Sequence, residues 1–219
     1  MNRRTIALLG AAGLIAAFAV AVYVYKSQRA AEGKALAARY DAPPLARDYS
    51  QSLGPDDARV VLVEFFDPGC ETCRTFAEPV KKLVESHEGK VRLVLRYAAF
   101  HQGADTMVKA LEAARRQGKY WETLQLLYDK QPQWADHHHP RPDAMWEFFP
   151  LVGLDLVQLD EDMRDPEIEA ILQQDMADAE TLGVRKTPTF IVNGQPLQRF
   201  GMRELETLVR AKVEEVYGN

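Results

Sequence analysis

Cysteine is nearly absent. The chain has two in 219 residues, Cys70 and Cys73, which excludes a disulfide framework and leaves any zinc site short of two good ligands. Positive charge is also scarce: 27 Lys and Arg stand against 32 Asp and Glu, for a net charge of −5. A nucleic-acid footprint needs clustered basic residues and a high isoelectric point, so no nucleic-acid partner is expected. No period of tens of residues repeats, and no segment is of low complexity, so repeat architectures are excluded. What remains is ordinary for a globular protein, 47% apolar and 27% charged. The length suits one domain with a generous core, or one domain carrying an insertion.

The amino terminus departs from this background. In "MNRRTIALLGAAGLIAAFAVAVYVYKSQR", Arg3 and Arg4 precede an uncharged run of 21 residues from Thr5 to Tyr25. That reaches the roughly 20 residues a helix needs to cross a bilayer. It exceeds the apolar core of a cleavable signal, about 7–15 residues, and Tyr23 and Tyr25 sit where interfacial aromatics belong. Residues 1–25 therefore read as a transmembrane anchor. The small-x-small triplets Ala17-Phe18-Ala19 and Ala19-Val20-Ala21 keep a cleaved signal as the alternative. Lys26, Arg29, Lys34 and Arg39 follow the span, so basic residues alone do not orient it. Residues 26–55 read as a linker, its later part, "DAPPLARDYSQSLGPDD", rich in turn residues.

A domain is expected over residues 56–219. "ARVVLVEFFD" has the β-branched and aromatic character of a buried strand, and "KVRLVLRY" that of a second at about 90–97. Between them, from Cys70 to about Ser86, Phe76, Val80, Leu83 and Val84 fall on one helical face, with Pro79 as a kink. Strand, helix, strand predicts a parallel pair. From about 103 to 182 the pattern is helical: two helices broken at Gly118, a third over "PDAMWEFFPLVG", and one or two more ending at Gly183. "TPTFIVNGQPLQRF" predicts two strands around a type I′ turn at Asn193-Gly194. Leu205, Leu208, Val209, Val213 and Val216 then mark a closing helix.

The two cysteines are a Cys-x-x-Cys pair that follows a strand and opens a helix. The unsatisfied N–H groups and positive dipole end of a helix amino terminus stabilise a thiolate. Cys70 is therefore expected to be the exposed nucleophile and Cys73 the more buried resolving thiol. Zinc sites use the same spacing, but no second pair exists here. Glu64, six residues before Cys70, is expected to point inward beneath the pair. Burial raises a carboxyl pKa, so it can exchange a proton with the inner thiol; otherwise it is an exposed strand-end acid.

The β-α-β, helical block, β-β-α order, with "EFFDPGCETC" and "VRKTPTFIVNG", resembles the DsbA-like branch of the thioredoxin superfamily over residues 55–217. The resemblance implies an α/β thioredoxin fold with an inserted helical domain and no cofactor. It implies a thiol–disulfide oxidoreductase of the cell envelope acting on thiols and disulfides of exported proteins, with a membrane or periplasmic redox partner resetting the pair. Cys70 would be the nucleophile, Cys73 the resolving cysteine, Glu64 the buried acid and Pro188 a cis-proline. Thr187 and Pro188 would present backbone to an extended substrate. The domain would lie in the periplasm, held at the inner membrane by the first segment or free if that segment is cleaved. Where the strongest oxidants of this group carry Pro-His between the cysteines, this chain has Glu71-Thr72. A carboxylate beside Cys70 disfavours the thiolate and predicts a protein less oxidising than DsbA. Thr187 is similar to the residue found in reductases and isomerases of the family, which keeps that activity as an alternative.

Other residues suggest less. Asp136 with His137, His138 and His139 reads as a solvated loop, or as a weak copper site with two imidazoles turned inward. Joined to the cysteines, that site would make a different class of protein, an envelope metal carrier. His101 reads as a surface or loop-packing residue. Phe65, Phe66, Phe76, Phe190 and Ile191 read as core, Phe66 or Phe100 as the border of a peptide groove, and Trp121, Trp134 and Trp146 as packing of the insert.

Overall fold

The computed structural model describes residues 18–28, 45–136 and 140–218. Residues 18–28 form an exposed helix, α1. The apolar run at 5–25 lies mostly outside the described residues, and among the described residues no helix is long and apolar enough to cross a membrane. The domain is built on five strands, β1 (Ser52–Leu53), β2 (Val60–Phe66), β3 (Val91–Tyr97), β4 (Thr189–Val192) and β5 (Gln195–Pro196), in the order β1-β3-β2-β4-β5. The central pair is parallel, from Val60 opposite Val91 to Phe66 opposite Tyr97. The helix α2 (Glu71–Glu85) makes the crossover between them. β4 runs antiparallel to β2, with Phe65 opposite Thr189, and both Asn193 and Gly194 have the positive φ of a type I′ turn.

The pleat sorts the central strands between two cores. Val60, Leu62 and Phe66 join Leu93, Leu95 and Tyr97 in the larger one, against Val80 and Val84 of α2 and Leu205 and Val209 of α8 (Met202–Tyr217). Val63, Phe65, Val94 and Ile191 face the other way, onto Ala179 and Leu182 at the end of α7 (Pro166–Thr181). Strands buried on both faces need an almost unbroken apolar run, which explains "VVLVEFF".

The insertion comprises α3 (Ala104–Arg116), α4 (Tyr120–Asp129), the short α5 (Gln131–Trp134), α6 (Leu156–Asp162) and α7. The third helix expected over "PDAMWEFFPLVG" is instead two 3₁₀ turns, Pro142–Glu147 and Phe149–Val152. Pro150 has no N–H to donate to an α-helical ladder, and Gly153 enters the left-handed region at φ 77°. Trp134 is fully buried and its Nε1 donates to the Leu127 carbonyl at 2.9 Å.

The stretch read as a linker belongs to the domain from residue 45 onward. β1 lies antiparallel to β3 at the sheet edge, and Leu45 packs on the smaller core. A polar clasp fixes this segment. The Arg96 side chain, fully buried beneath the α7 face, donates through Nε to Asp175 Oδ1 at 2.9 Å, through Nη1 to the Leu45 carbonyl at 3.0 Å, and through Nη2 to Asp178. Asp175 also accepts the Tyr97 N–H at 2.7 Å and the Tyr49 hydroxyl at 2.6 Å. Arg47 forms two hydrogen bonds with Asp178, at 2.7 and 2.8 Å. A polar, proline-containing segment hides this docking, because its partners lie on α7.

Removing one member of a buried ion pair strands the other. Arg96→Met should therefore lose about 3–5 kcal/mol of stability, read from the midpoint of urea unfolding. A loss below about 1 kcal/mol, the range of an exposed pair, would show that the clasp is not what fixes this segment.

Candidate active site

The loop from Asp67 to Cys70 joins β2 to α2, and Asp67 organises it. Its fully buried carboxylate accepts the Gly69 N–H at 2.6 Å on Oδ1. On Oδ2 it accepts the N–H groups of Phe100 and His101 at 2.7 and 2.8 Å, and His101 Nδ1 at 2.8 Å. The Asp67 carbonyl accepts the Cys70 N–H at 3.0 Å. At Gly69 a Cβ would lie 3.1 Å from His101 Cβ and 3.2 Å from Asp67 Oδ1, so a larger residue would push this loop apart. From the insertion, the buried Gln131 donates to the Pro68 carbonyl at 2.8 Å.

Cys70 is the N-cap of α2. Its backbone is extended, its Sγ accepts the Cys73 N–H at 3.4 Å, and its carbonyl accepts the Arg74 N–H at 3.1 Å. The sulfur thus takes the place of a capping oxygen at the positive end of a 15-residue helix. Hydrogen bonding with Cys73 draws the Cys70 thiol down to about 5 against the opposing effect of burial, with Thr187 and the backbone N–H groups of Cys73 and Thr72 adding to it. Burial drives the Cys73 thiol far above its ordinary value, and its hydrogen bond to Cys70 and the nearby Glu64 push the same way. Both thiols are reduced.

Glu64 lies on the larger-core face of β2. Burial, then the negative charge of Cys70, raises its carboxyl to about 8. It borders a cavity of about 550 Å³ whose walls include Leu93, Leu95, Leu124, Tyr128 and the half-exposed Trp121. On the opposite side of Cys70, the Thr187 carbonyl accepts from its Sγ at 3.3 Å, and the Thr187–Pro188 bond is cis.

The fold brings Glu64, Cys70, Cys73, Thr187 and Pro188 together. Cys70 is less exposed than the sequence suggested. It is 5% accessible, against none for Cys73, because it sits between its loop and the Thr187 carbonyl. Glu71 is exposed, and hydrogen bonds rather than this neighbouring carboxylate dominate the Cys70 thiol. Phe66 is fully buried while Phe100 is partly exposed. Sequence reasoning missed Asp67, Gln131 and Tyr128 and set His101 aside. The one available signal was an acid between the strand and Pro68-Gly69. His137, His138 and His139 lie outside the described residues, and among the described residues no three His, Cys, Asp or Glu side chains group as a metal site.

A family model described as Thioredoxin matches residues 47–211. Among solved structures, a thioredoxin-like oxidoreductase from Silicibacter pomeroyi DSS-3 is 30% identical, with a TM-score of 0.66 over 78% of this chain and 95% of that one. BdbD from Bacillus subtilis shares the fold at 21% identity and a TM-score of 0.66, over 75% of this chain and 93% of that one. The thiol-disulfide exchange protein alpha-DsbA2 from Wolbachia pipientis shares it at 18% and 0.67, over 85% and 98%. Among curated proteins, a Na⁺/H⁺ antiporter NhaA of Herminiimonas arsenicoxydans is 28% identical over 71% of this chain and 24% of its own length. NhaA 1 of Mycolicibacterium vanbaalenii is 31% identical over 77% of this chain and 27% of its own length. The chain thus spans about a quarter of the length of these curated relatives. The chain belongs to the thioredoxin family.

Proposed function

We propose that this domain exchanges disulfides with exported proteins through Cys70 and Cys73, on the periplasmic side of the inner membrane. The observation that carries the reading is the separation of two adjacent thiols: one drawn down to about 5, its neighbour held protonated at any physiological pH. In the reducing direction, the Cys70 thiolate attacks a substrate disulfide, forming a mixed disulfide and releasing one substrate thiolate. Cys73 then gives its proton to the Glu64 carboxylate and attacks Cys70 Sγ, releasing the second substrate thiolate and leaving the Cys70–Cys73 disulfide. In the oxidising direction a substrate thiolate attacks Cys70 Sγ, and the departing Cys73 thiolate takes the proton of the neutral Glu64. A carboxyl raised to about 8 can serve both directions near neutrality. Thr187 and cis-Pro188, across the sulfur from the helix, are the backbone against which an extended substrate would lie.

A Cys70 value of about 5 falls between those of DsbA, about 3.5, and thioredoxin, about 7. It supports a potential between theirs, on the reducing side of DsbA. In this reading Thr72 favours the thiolate through its backbone N–H, and the exposed Glu71 opposes it from solvent. Residues 1–25 would anchor the domain and a membrane or periplasmic partner would reset the pair. A reductase or isomerase kept reduced in the cell is the second reading, supported by Thr187 before the cis-proline.

In the reduced protein, the ultraviolet absorbance of the thiolate should titrate with a midpoint near 5, and both this signal and insulin-reducing turnover should vanish in Cys70→Ser. Equilibration with glutathione should give a potential between about −120 and about −270 mV; a value at or above the first would refute the assignment relative to DsbA.

Glu64 makes a separate prediction. Between its ordinary value of 4.5 and about 8, the native state holds a proton that the unfolded chain has lost. Stability should therefore fall as pH rises through that window, with a limiting slope of about 1.4 kcal/mol per pH unit. The oxidised protein, in which no thiol titrates, isolates the part of the effect due to burial; with the Cys70 charge gone, its window closes at a lower pH than in the reduced protein. Urea midpoints should fall more steeply across the window in the parent than in Glu64→Gln, which keeps the contribution of His101. The same variant should accumulate the mixed disulfide at neutral pH. Parallel curves for the two proteins would remove Glu64 from the proton path.

A further inference from the structure

The motif offers no side-chain cation beside its nucleophile: Glu71 and Thr72 stand between the cysteines. The fold brings one from elsewhere. His101 lies in the loop after β3, 31 positions beyond Cys70 in sequence, yet both are held by one residue, Asp67. Asp67 Oδ2 receives the backbone N–H and Nδ1 of His101, while the Asp67 carbonyl receives the Cys70 N–H. Gly69, the residue immediately before Cys70, lies close against His101: a Cβ there would come within 3.1 Å of the His101 Cβ. Oδ2 already accepts two backbone N–H groups, so Nδ1 carries a proton toward it. The ring is one-third exposed, open enough to titrate with solvent.

We propose that His101, fixed by Asp67, is a positioning residue whose imidazolium faces the Cys70 thiolate and supplies the positive charge that the Glu-Thr dipeptide lacks. The inference rests on the thiol–disulfide reading above. Three acidic groups act on the ring: Asp67 from the β2–α2 loop, by direct contact, and Cys70 and Glu71 from the start of α2, by their charge. The hydrogen bond to Asp67, then the charges of Asp67, Cys70 and Glu71, raise the affinity of His101 for its proton against the effect of burial. The coupling is reciprocal. An imidazolium that stabilises the thiolate must itself be stabilised by it, and forming the Cys70–Cys73 disulfide removes the thiolate partner. His101 therefore binds its proton more tightly in the reduced protein than in the oxidised one. Reduction of the disulfide near neutral pH then draws a proton to His101 as the thiolate forms, independently of the proton exchanged by Glu64.

Two measurements test this, both on the full chain. The first follows the His101 ring by NMR against pH in the reduced and oxidised states of the unmodified protein. Its pKa should drop by about one unit on oxidation, as expected for loss of an opposite charge at close range. Identical titrations in the two states would overturn the proposal. The second compares the Cys70 thiolate midpoint in the parent, His101→Gln and His101→Lys. The Gln variant should titrate about one unit higher, a tenfold change that lowers the potential by about 30 mV. The Lys variant, which restores a cation, should return most of that shift. A residue that only packs the loop would leave the Gln midpoint in place, or would shift it with no recovery by Lys. Insulin-reducing turnover that survives in Cys70→Ser would instead refute the thiol–disulfide reading itself, so the two failures are distinguishable.

Discussion

One constraint governs this protein: the amino end of α2 must stop at the sulfur of Cys70. A thiol is a poor cap for a helix, and it becomes a good one only by losing its proton. Everything near it serves that end. β2 delivers the chain, Asp67 turns it by gathering N–H groups from two segments, and Gly69 keeps the turn narrow enough for the β3 loop to close over it. The helix then begins at Glu71 and leaves its first N–H groups to the sulfur.

Glu64 and Asp67 are two acids three positions apart, and their surroundings give them opposite tasks. Glu64 is buried beside apolar side chains and a cavity and keeps its proton to about 8. Asp67 is equally buried but surrounded by donors, so it serves as the hub of the loop. The inserted helices contribute to both. Tyr128 of α4 helps wall the cavity beside Glu64, and Gln131 of α5 holds the Pro68 carbonyl. The insertion is thus part of the site's scaffold as well as a cover for the larger core.

Much of this was legible in the sequence because it is local or periodic. The β-branched strands, the apolar face of α2, the Asn-Gly turn and the cysteine spacing each carry their own signal within a few residues. The contacts that complete the site are not local. Asp67 and His101 lie 34 positions apart, and neither has a neighbourhood that names the other. The Arg96 clasp reaches from β3 to α7, so nothing in "LARDYS" reveals that it is anchored. The expectation for Glu71 rested on sequence adjacency, whereas geometry gives the larger influence to groups that donate to the sulfur. The two 3₁₀ turns were hidden because apolar spacing does not distinguish them from a helix until Pro150 is weighed.

The Arg96–Asp175–Asp178 clasp has a mechanical meaning. Residues 45–50 are gripped on the α7 face, on the other side of the sheet from Glu64 and α2. Tension arriving from the amino-terminal side would first load Arg47, Arg96 and the two aspartates. The hydrogen bonds around Cys70 lie beyond that grip, so the clasp works as a strain relief: a pull on residue 45 would spend itself there before bending the geometry that sets the reactivity of the sulfur.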